Sequence, residues 1–548
     1  MLQPLRLVSL AVTAAVLLGL APAVSADELG DALKARLAAI NSLPVASASA
    51  EERSVVAKFY QGRDYQPIWV DDNGVTDRAR QVTTVLAASG NEGLEPRNYA
   101  LPRIAELQSA KSAADRAELE ALLSLAVVSY AADLSSGRLE PAKIDPENYL
   151  VPRDIDEAMV LGNLSTLPDP VEFLKHYVPD TPEYIRLRSA LVAYRRIAKA
   201  GGWPTVPDGP TLKPGMKDAR VPALRERLKV TGDLAADAPA DDDPTFYDKT
   251  TEVALRDFQV RHGLDVDGAV GKQTLEELNV SVEQRIDQIL ANMERRRWMP
   301  DDPGPLYVFV NLADFQLKVV KEERTIYTSR VIVGAPYTRT PVFTGSMSYI
   351  EINPYWTVPP SIASKEILAA IKRDPGYLAK QRLKVFSGWS AGAEVVDPST
   401  VSWASYTPRS FPYKIRQEPG EGNSLGRIAF MMPNKYNIYL HDTPAKSLFD
   451  RASRGFSHGC IRVQNPTKLA EVIFHDIEQD PKWTPEAIQA AIDTSQNQIV
   501  RLAKHIPVQI AYITAFANKD GTVHFRRDVY GRDARLMALL KTGRQTAQ

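Results

Sequence analysis

The spacing of apolar and polar positions changes character several times along the chain. Residues 7–20 are an almost unbroken apolar run. From 27 to about 205, apolar residues recur at mixed three- and four-residue spacing, clearest at 119–134 and 184–199, with Gly and Pro turns between. That period predicts a mainly helical region. The aromatic and polar stretch 59–69 contains Pro67, which argues against helix there. Between 206 and 282 the pattern predicts three short helices. One is centred on Leu224 and Leu228, a second carries Val253, Leu255, Phe258 and Val260, and a third begins at Thr274. From Leu306 the period shortens to that of strands, at 306–310, 315–320, 326–333, 346–352, 428–432, 438–440, 508–516 and 523–526. Asp520-Gly521 would join the last two as a hairpin. Residues 362–382 read as helical and interrupt the strands, which predicts an inserted lobe.

Composition and charge narrow the class. At 44% apolar and 24% charged, the chain is ordinary globular material. The balance of 66 Lys+Arg against 67 Asp+Glu offers no electrostatic case for nucleic acid or an anionic membrane. Arg295-Arg296-Arg297 therefore reads as the solvated face of a helix. The first apolar run follows Arg6, is short for a membrane span, and ends in Ala21-Pro22-Ala23-Val24-Ser25-Ala26. Small residues stand where a signal peptidase reads, so cleavage after Ala26 is expected. No Cys follows that would take a lipid. No later segment reads as the ~18 apolar residues of a membrane helix.

Export gives weight to the single cysteine. Exported proteins usually carry cysteines in pairs, and Cys460 has no partner for an internal disulfide. It is either an apolar filler or a thiol kept for its chemistry. Its surroundings favour chemistry. Ile438-Tyr439-Leu440-His441-Asp442 ends a strand, and Ser457-His458-Gly459-Cys460-Ile461-Arg462 follows after a loop. A thiol needs a base to become a strong nucleophile. A chain leaving a strand and returning could set His441 against Cys460. The backbone N–H groups of Gly459 and Cys460 could form an oxyanion hole. Two other readings compete: His441, His458 and Cys460 as zinc ligands, which lack a fourth at recognisable spacing, and the three as sheet core.

The segment from His441 to Arg462 resembles the signature of the L,D-transpeptidase (YkuD-type) catalytic domain. So do Arg330-Val331-Ile332-Val333-Gly334, Thr340-Pro341-Val342-Phe343, the stretch from Asn353 to Pro360 and Tyr530-Gly531-Arg532-Asp533. The resemblance is to the large Gram-negative members. Phe258-Gln259, Gly263-Leu264, Asp267-Gly268, Gly271, Thr274 and Leu278 resemble the signature of a three-helix peptidoglycan-binding domain.

The expected fold is a multidomain α+β chain. It comprises a signal peptide at 1–26, an all-α scaffold at 27–205 and a peptidoglycan-binding domain at 206–282. A helical connector packing on the scaffold follows at 283–304. A β-rich catalytic domain takes 305–533 with a helical lid insertion at about 354–400, and a tail takes 534–548. The resemblance implies a periplasmic enzyme that forms 3→3 cross-links between peptidoglycan tetrapeptide stems, one as donor and one as acceptor. It makes Cys460 the nucleophile and His441 the general base, with the Asp442 carbonyl orienting His441 and Gly459 supplying an oxyanion donor. Tyr439 and Trp356 would line the donor pocket, with Ser457, His458 and Arg462 also facing substrate. Carbapenems would acylate the thiol, and no metal or cofactor is called for. The rival uses of the same Cys/His pair are a peptidase, D-amino-acid exchange and attachment of a protein to the wall. The rival from another class is a wall-binding scaffold without catalysis.

Overall fold

Residues 26–542, except 72 and 301, are described by a computed structural model. The expected leader lies outside the described residues save Ala26, which opens the first helix. Two packed units make up the rest: residues to 88 with 95–131 and 156–175, and residues 89–94, 132–155 and 176 onward.

The first unit is helical, as its periodicity requires. Helix Ala50–Gln61 begins with a reciprocal cap: Ser49 accepts from the Glu52 N–H, and the Glu52 carboxylate accepts from the Ser49 N–H. Both bonds satisfy backbone donors that a helix start leaves open. Helix Ala113–Ser136 corrects the expectation that no later segment is apolar enough to span a membrane. It passes on length and composition, yet 94% of its apolar window is buried inside the protein. A helix apolar all round is here a core helix. Glu120 lies within it, wholly buried, and accepts hydrogen bonds from the Tyr60 hydroxyl and the backbone N–H groups of Ile68, Trp69 and Val70. One carboxylate thus satisfies three successive backbone donors just after Pro67. Glu120→Gln is expected to cost about 2–4 kcal/mol, because the amide leaves at least one buried N–H without an acceptor. Urea unfolding measures this, and a loss below about 0.5 kcal/mol would contradict it.

In the second unit, helices Pro182–Lys199 and Val282–Arg297 pack on each other through Tyr184, Leu187, Leu191, Ile289 and Met293. The run Arg295–Arg297 is not a solvated face. Arg295 pairs with Asp533, and Arg297 pairs with Glu294 and bonds the Tyr184 hydroxyl, all largely buried. A helix packed on several sides has no free face, so its cations are kept by buried partners. Residues 532–542, mostly read as tail, form helix Arg532–Thr542, whose Leu536 and Met537 pack against Ala291 and Trp298.

Three helices, Val221–Val230, Lys249–Arg261 and Lys272–Leu278, enclose a core of Leu224, Leu228, Leu255, Phe258 and Leu278. The buried Gln259 amide donates to Asp267, Thr274 and the Ala269 carbonyl, and its oxygen accepts from the Gly268 N–H. The motif residues of this segment therefore hold one another.

Nine strands form the large sheet: β1 (Leu306–Asn311), β2 (Gln316–Lys321), β3 (Arg324–Gly334), β4 (Phe343–Ile352), β5 (Ile428–Met431), β6 (Leu440–His441), β7 (Gly455–Ser457), β8 (Ile461–Val463) and β9 (Gln498–Ala511). Their order is β7-β3-β8-β6-β5-β4-β9-β1-β2, and a further pairing of β2 with β3 makes the pairings a closed circuit. β6 and β8 are parallel, with Leu440 opposite Ile461 and His441 opposite Arg462. The inserted lobe is more than helical and runs past 400. Its helical turns, from Pro360–Ile362 to Tyr377–Lys380, pack on a four-stranded sheet of Trp356–Thr357, Lys414–Gln417, Leu383–Phe386 and Val395–Val396. These strands are short and separated by Gly- and Ser-containing loops, so their alternation is too brief to read in advance.

Candidate active site

The alternation along β6 and β8 sorts the candidate residues. Leu440, Ile461 and Val463 point into the sheet's core and are fully buried. His441 and Arg462, which alternate with them along the two strands, take the opposite side. Tyr439 and Cys460 immediately precede the strands, with Cys460 partly buried against the edge of the core. The Tyr439 and His441 rings lie 5.7 Å apart. The Tyr439 hydroxyl reaches the Cys460 thiol, and Arg462 is close enough to act electrostatically on both His441 and Cys460. Four expected site residues are thus brought together.

His441 is buried, and its Nδ1–H donates to the Asp442 carbonyl, with the Leu425 carbonyl also close to the ring. A carbonyl only accepts, so the proton sits on Nδ1 and the Nε2 lone pair is left available. Burial, reinforced by the Arg462 charge, holds the imidazole down at about 3. Burial likewise pushes the Cys460 thiol up to about 11, against the opposing pull of Tyr439 and Arg462. At neutral pH both groups are uncharged. The thiol donates to the Asn437 carbonyl at 3.5 Å. The Asp442 carboxylate does not touch His441: it accepts from the Arg427 and Thr443 N–H groups and pairs with Lys446, a turn-holding role. An open cleft of about 800 Å³ lies on that carboxylate's side, lined by Arg427, Lys446, Gln464 and Gln489 but by neither His441 nor Cys460.

Three expected residues are placed differently. Ser457 is buried, and its hydroxyl donates to the Cys460 carbonyl at 2.6 Å and accepts from the Gly459 N–H at 3.1 Å. It shapes the loop, and it occupies the Gly459 N–H that was expected to serve as an oxyanion donor. His458 is exposed, and its Nε2 meets the carboxylate of Glu366 from the inserted lobe at 2.8 Å. Trp356 sits in the lobe's own sheet, packed on the lobe's core.

Sequence reasoning missed the residues that hold this loop from behind. Thr338 donates to the Ser457 carbonyl at 2.8 Å and Thr340 to the Gly459 carbonyl at 2.7 Å. A Cβ at Gly334 would lie 2.1 Å from the Thr338 carbonyl oxygen, so only glycine lets β3 turn into this segment. The signal was present in Thr340-Pro341 and Tyr530-Gly531. Neither carries a reacting side chain, and hydroxyls beside turn residues rank low as chemistry.

Comparison with known proteins gives a likeness for three segments of the chain. Residues 305–484 match the "L,D-transpeptidase catalytic domain", residues 217–278 the "Putative peptidoglycan binding domain" and residues 54–191 the "Scaffold domain". The chain carries a YkuD-type L,D-transpeptidase catalytic domain and a peptidoglycan-binding domain beside a helical region, and its fold is multidomain α+β. A curated protein of Haemophilus influenzae named "Putative L,D-transpeptidase" is 32% identical over 270 residues, which are 48% of this chain and 53% of that one. The chain spans about half the length of that relative. Among solved structures, an L,D-transpeptidase from Stackebrandtia nassauensis is 15% identical, with 56% of this chain and 96% of that one covered and a TM-score of 0.21. One from Mycobacterium smegmatis is 10% identical, with 38% and 58% covered and a TM-score of 0.18. Overlaps of that size add nothing to the domain match.

Proposed function

We propose that this chain is a periplasmic L,D-transpeptidase that forms 3→3 peptidoglycan cross-links through an acyl-enzyme on Cys460. One observation carries the reading: a lone thiol and a buried imidazole whose Nδ1 is bonded to a carbonyl stand at the paired strands β6 and β8, with Arg462 close to both. In the donor step the Cys460 sulfur attacks the L-centre carbonyl of the stem's diamino acid, and His441 Nε2 takes the thiol proton. With both groups neutral beforehand, proton transfer accompanies attack rather than preceding it. The C–N bond to the terminal D-Ala breaks, and His441 returns its proton to the departing amine. The thioester is then attacked by the D-centre amine of a second stem. His441 takes the proton from that amine and passes it to the released sulfur, restoring the thiol. Arg462 and Tyr439 flank the sulfur, where they stabilise charge on it. The lobe from 354 to 417, bonded to the loop through Glu366 and His458, is suited to exclude water from the thioester.

Incubating the full chain with disaccharide-tetrapeptide and weighing the products tests this. A dimer lacking one D-Ala supports cross-linking. A shortened monomer alone would make the enzyme a peptidase, and no reaction would leave a binding protein. A carbapenem adduct on Cys460, read by intact mass, is expected as well.

A further inference from the structure

The loop bearing Cys460 is held by a hydrogen-bond network of buried hydroxyls and backbone groups. Gly459 has φ +118°, a conformation that side chains avoid, so the peptide joining it to Cys460 needs external support. That support comes from Thr340, wholly buried. Its Oγ1 donates to the Gly459 carbonyl at 2.7 Å and accepts from the Gly334 N–H at 2.9 Å. Tyr530 locks Thr340 in turn. Its hydroxyl donates to the Gly334 carbonyl at 2.7 Å and accepts from the Thr340 N–H at 3.3 Å. The Tyr530 N–H donates to the Tyr512 hydroxyl at 3.0 Å, which donates to Asp528 at 2.6 Å. The network thus runs from Asp528 to the carbonyl of Gly459.

The Gly459 carbonyl and the Cys460 N–H belong to one planar trans peptide and point in opposite directions. Thr340 pins the carbonyl inward, so the N–H of the nucleophile faces the other way. That N–H has no hydrogen-bond partner among the described residues, whereas the neighbouring Gly459 N–H is taken by Ser457. We propose that Thr340 is a positioning residue: by holding the Gly459–Cys460 peptide, with Tyr530 behind it, it aims the Cys460 N–H at the oxyanion formed when the thiol attacks a carbonyl. The inference rests on Cys460 being the acyl-forming nucleophile, and it adds which buried side chain sets the oxyanion donor.

The test compares two reactions of the same thiol in the full chain. Acylation by a tetrapeptide donor or a carbapenem passes through an oxyanion. Alkylation by iodoacetamide is a displacement at carbon that forms none. Thr340→Val keeps the shape and removes the hydroxyl. It is expected to lower the acylation rate about 10²-fold, the usual effect of a misplaced oxyanion donor, with KM and alkylation within about threefold of wild type. Thr340→Ser, which keeps the donor, is expected to restore acylation to within about threefold. If Thr340→Val does not fold, Tyr530→Phe carries the same comparison, with a selective loss of about tenfold. Equal loss of acylation and alkylation in the variants overturns the inference, as does acylation unchanged in Thr340→Val. A wild-type chain that is alkylated at Cys460 but never acylated overturns the functional reading, and the inference with it.

Discussion

Cys460→Ala is expected to abolish acyl transfer, lowering turnover on the order of 10⁴- to 10⁶-fold, while the chain stays folded. The sulfur is the proposed acyl carrier, and deletion of a covalent nucleophile costs about this much where a general base remains. Water activated by His441 is the residual path, and it yields hydrolysis without cross-linking. The truncation removes a single sulfur atom at the edge of the core, so the fold is expected to persist. Release of D-Ala from a tetrapeptide donor measures the effect, with circular dichroism as the check on folding. Residual cross-linking within about tenfold of wild type would show that another group forms the bond.

His441→Gln is expected to lower turnover about 10²- to 10⁴-fold, the usual range for removing a general base. The pH dependence follows from the two shifted groups. A base works when unprotonated, and burial holds His441 at about 3, so wild-type activity is expected not to fall as pH drops through 6.5. The thiol, held at about 11, stays protonated across the same range and needs His441 throughout. The profile is therefore expected to be flat from about pH 5 to 9, wherever the chain remains folded. An inflection near 6.5 would mean that the imidazole is solvated in the working enzyme. The same burial has a cost in acid. A folded pKa below the unfolded one means that the native state binds fewer protons, so this contribution weakens stability as pH falls from about 6.5 toward 3. Buried His262, also held well below its ordinary value, adds to the trend.

Where periodicity was sustained, the fold was legible. The core strands β1 to β4 and the three helices of 206–282 announce themselves through long apolar patterns. Partner-dependent features did not. Arg295 and Arg297 look solvated until Asp533 and Glu294 are placed beside them, and the helix from Arg532 looks like a tail until Ala291 and Trp298 are there to receive it. The site divides in the same way. Cys460 and His441 stand out because their chemistry is local to the side chain. Thr340 and Tyr530 do not, because their use depends on which backbone groups the fold brings to their hydroxyls.

The pairing of β6 with β8 links folding accuracy to the geometry of the candidate site. Side chains alternate along both strands, so a slip of one residue would turn His441 and Arg462 inward and bring Ile461 out on the side of the candidate site. Leu440, Ile461 and Val463, buried behind the sheet, oppose that slip because it would expose them. The greasy side of these strands therefore acts as the alignment gauge of the candidate site. Variation there is expected to disturb the candidate site together with the stability of the sheet.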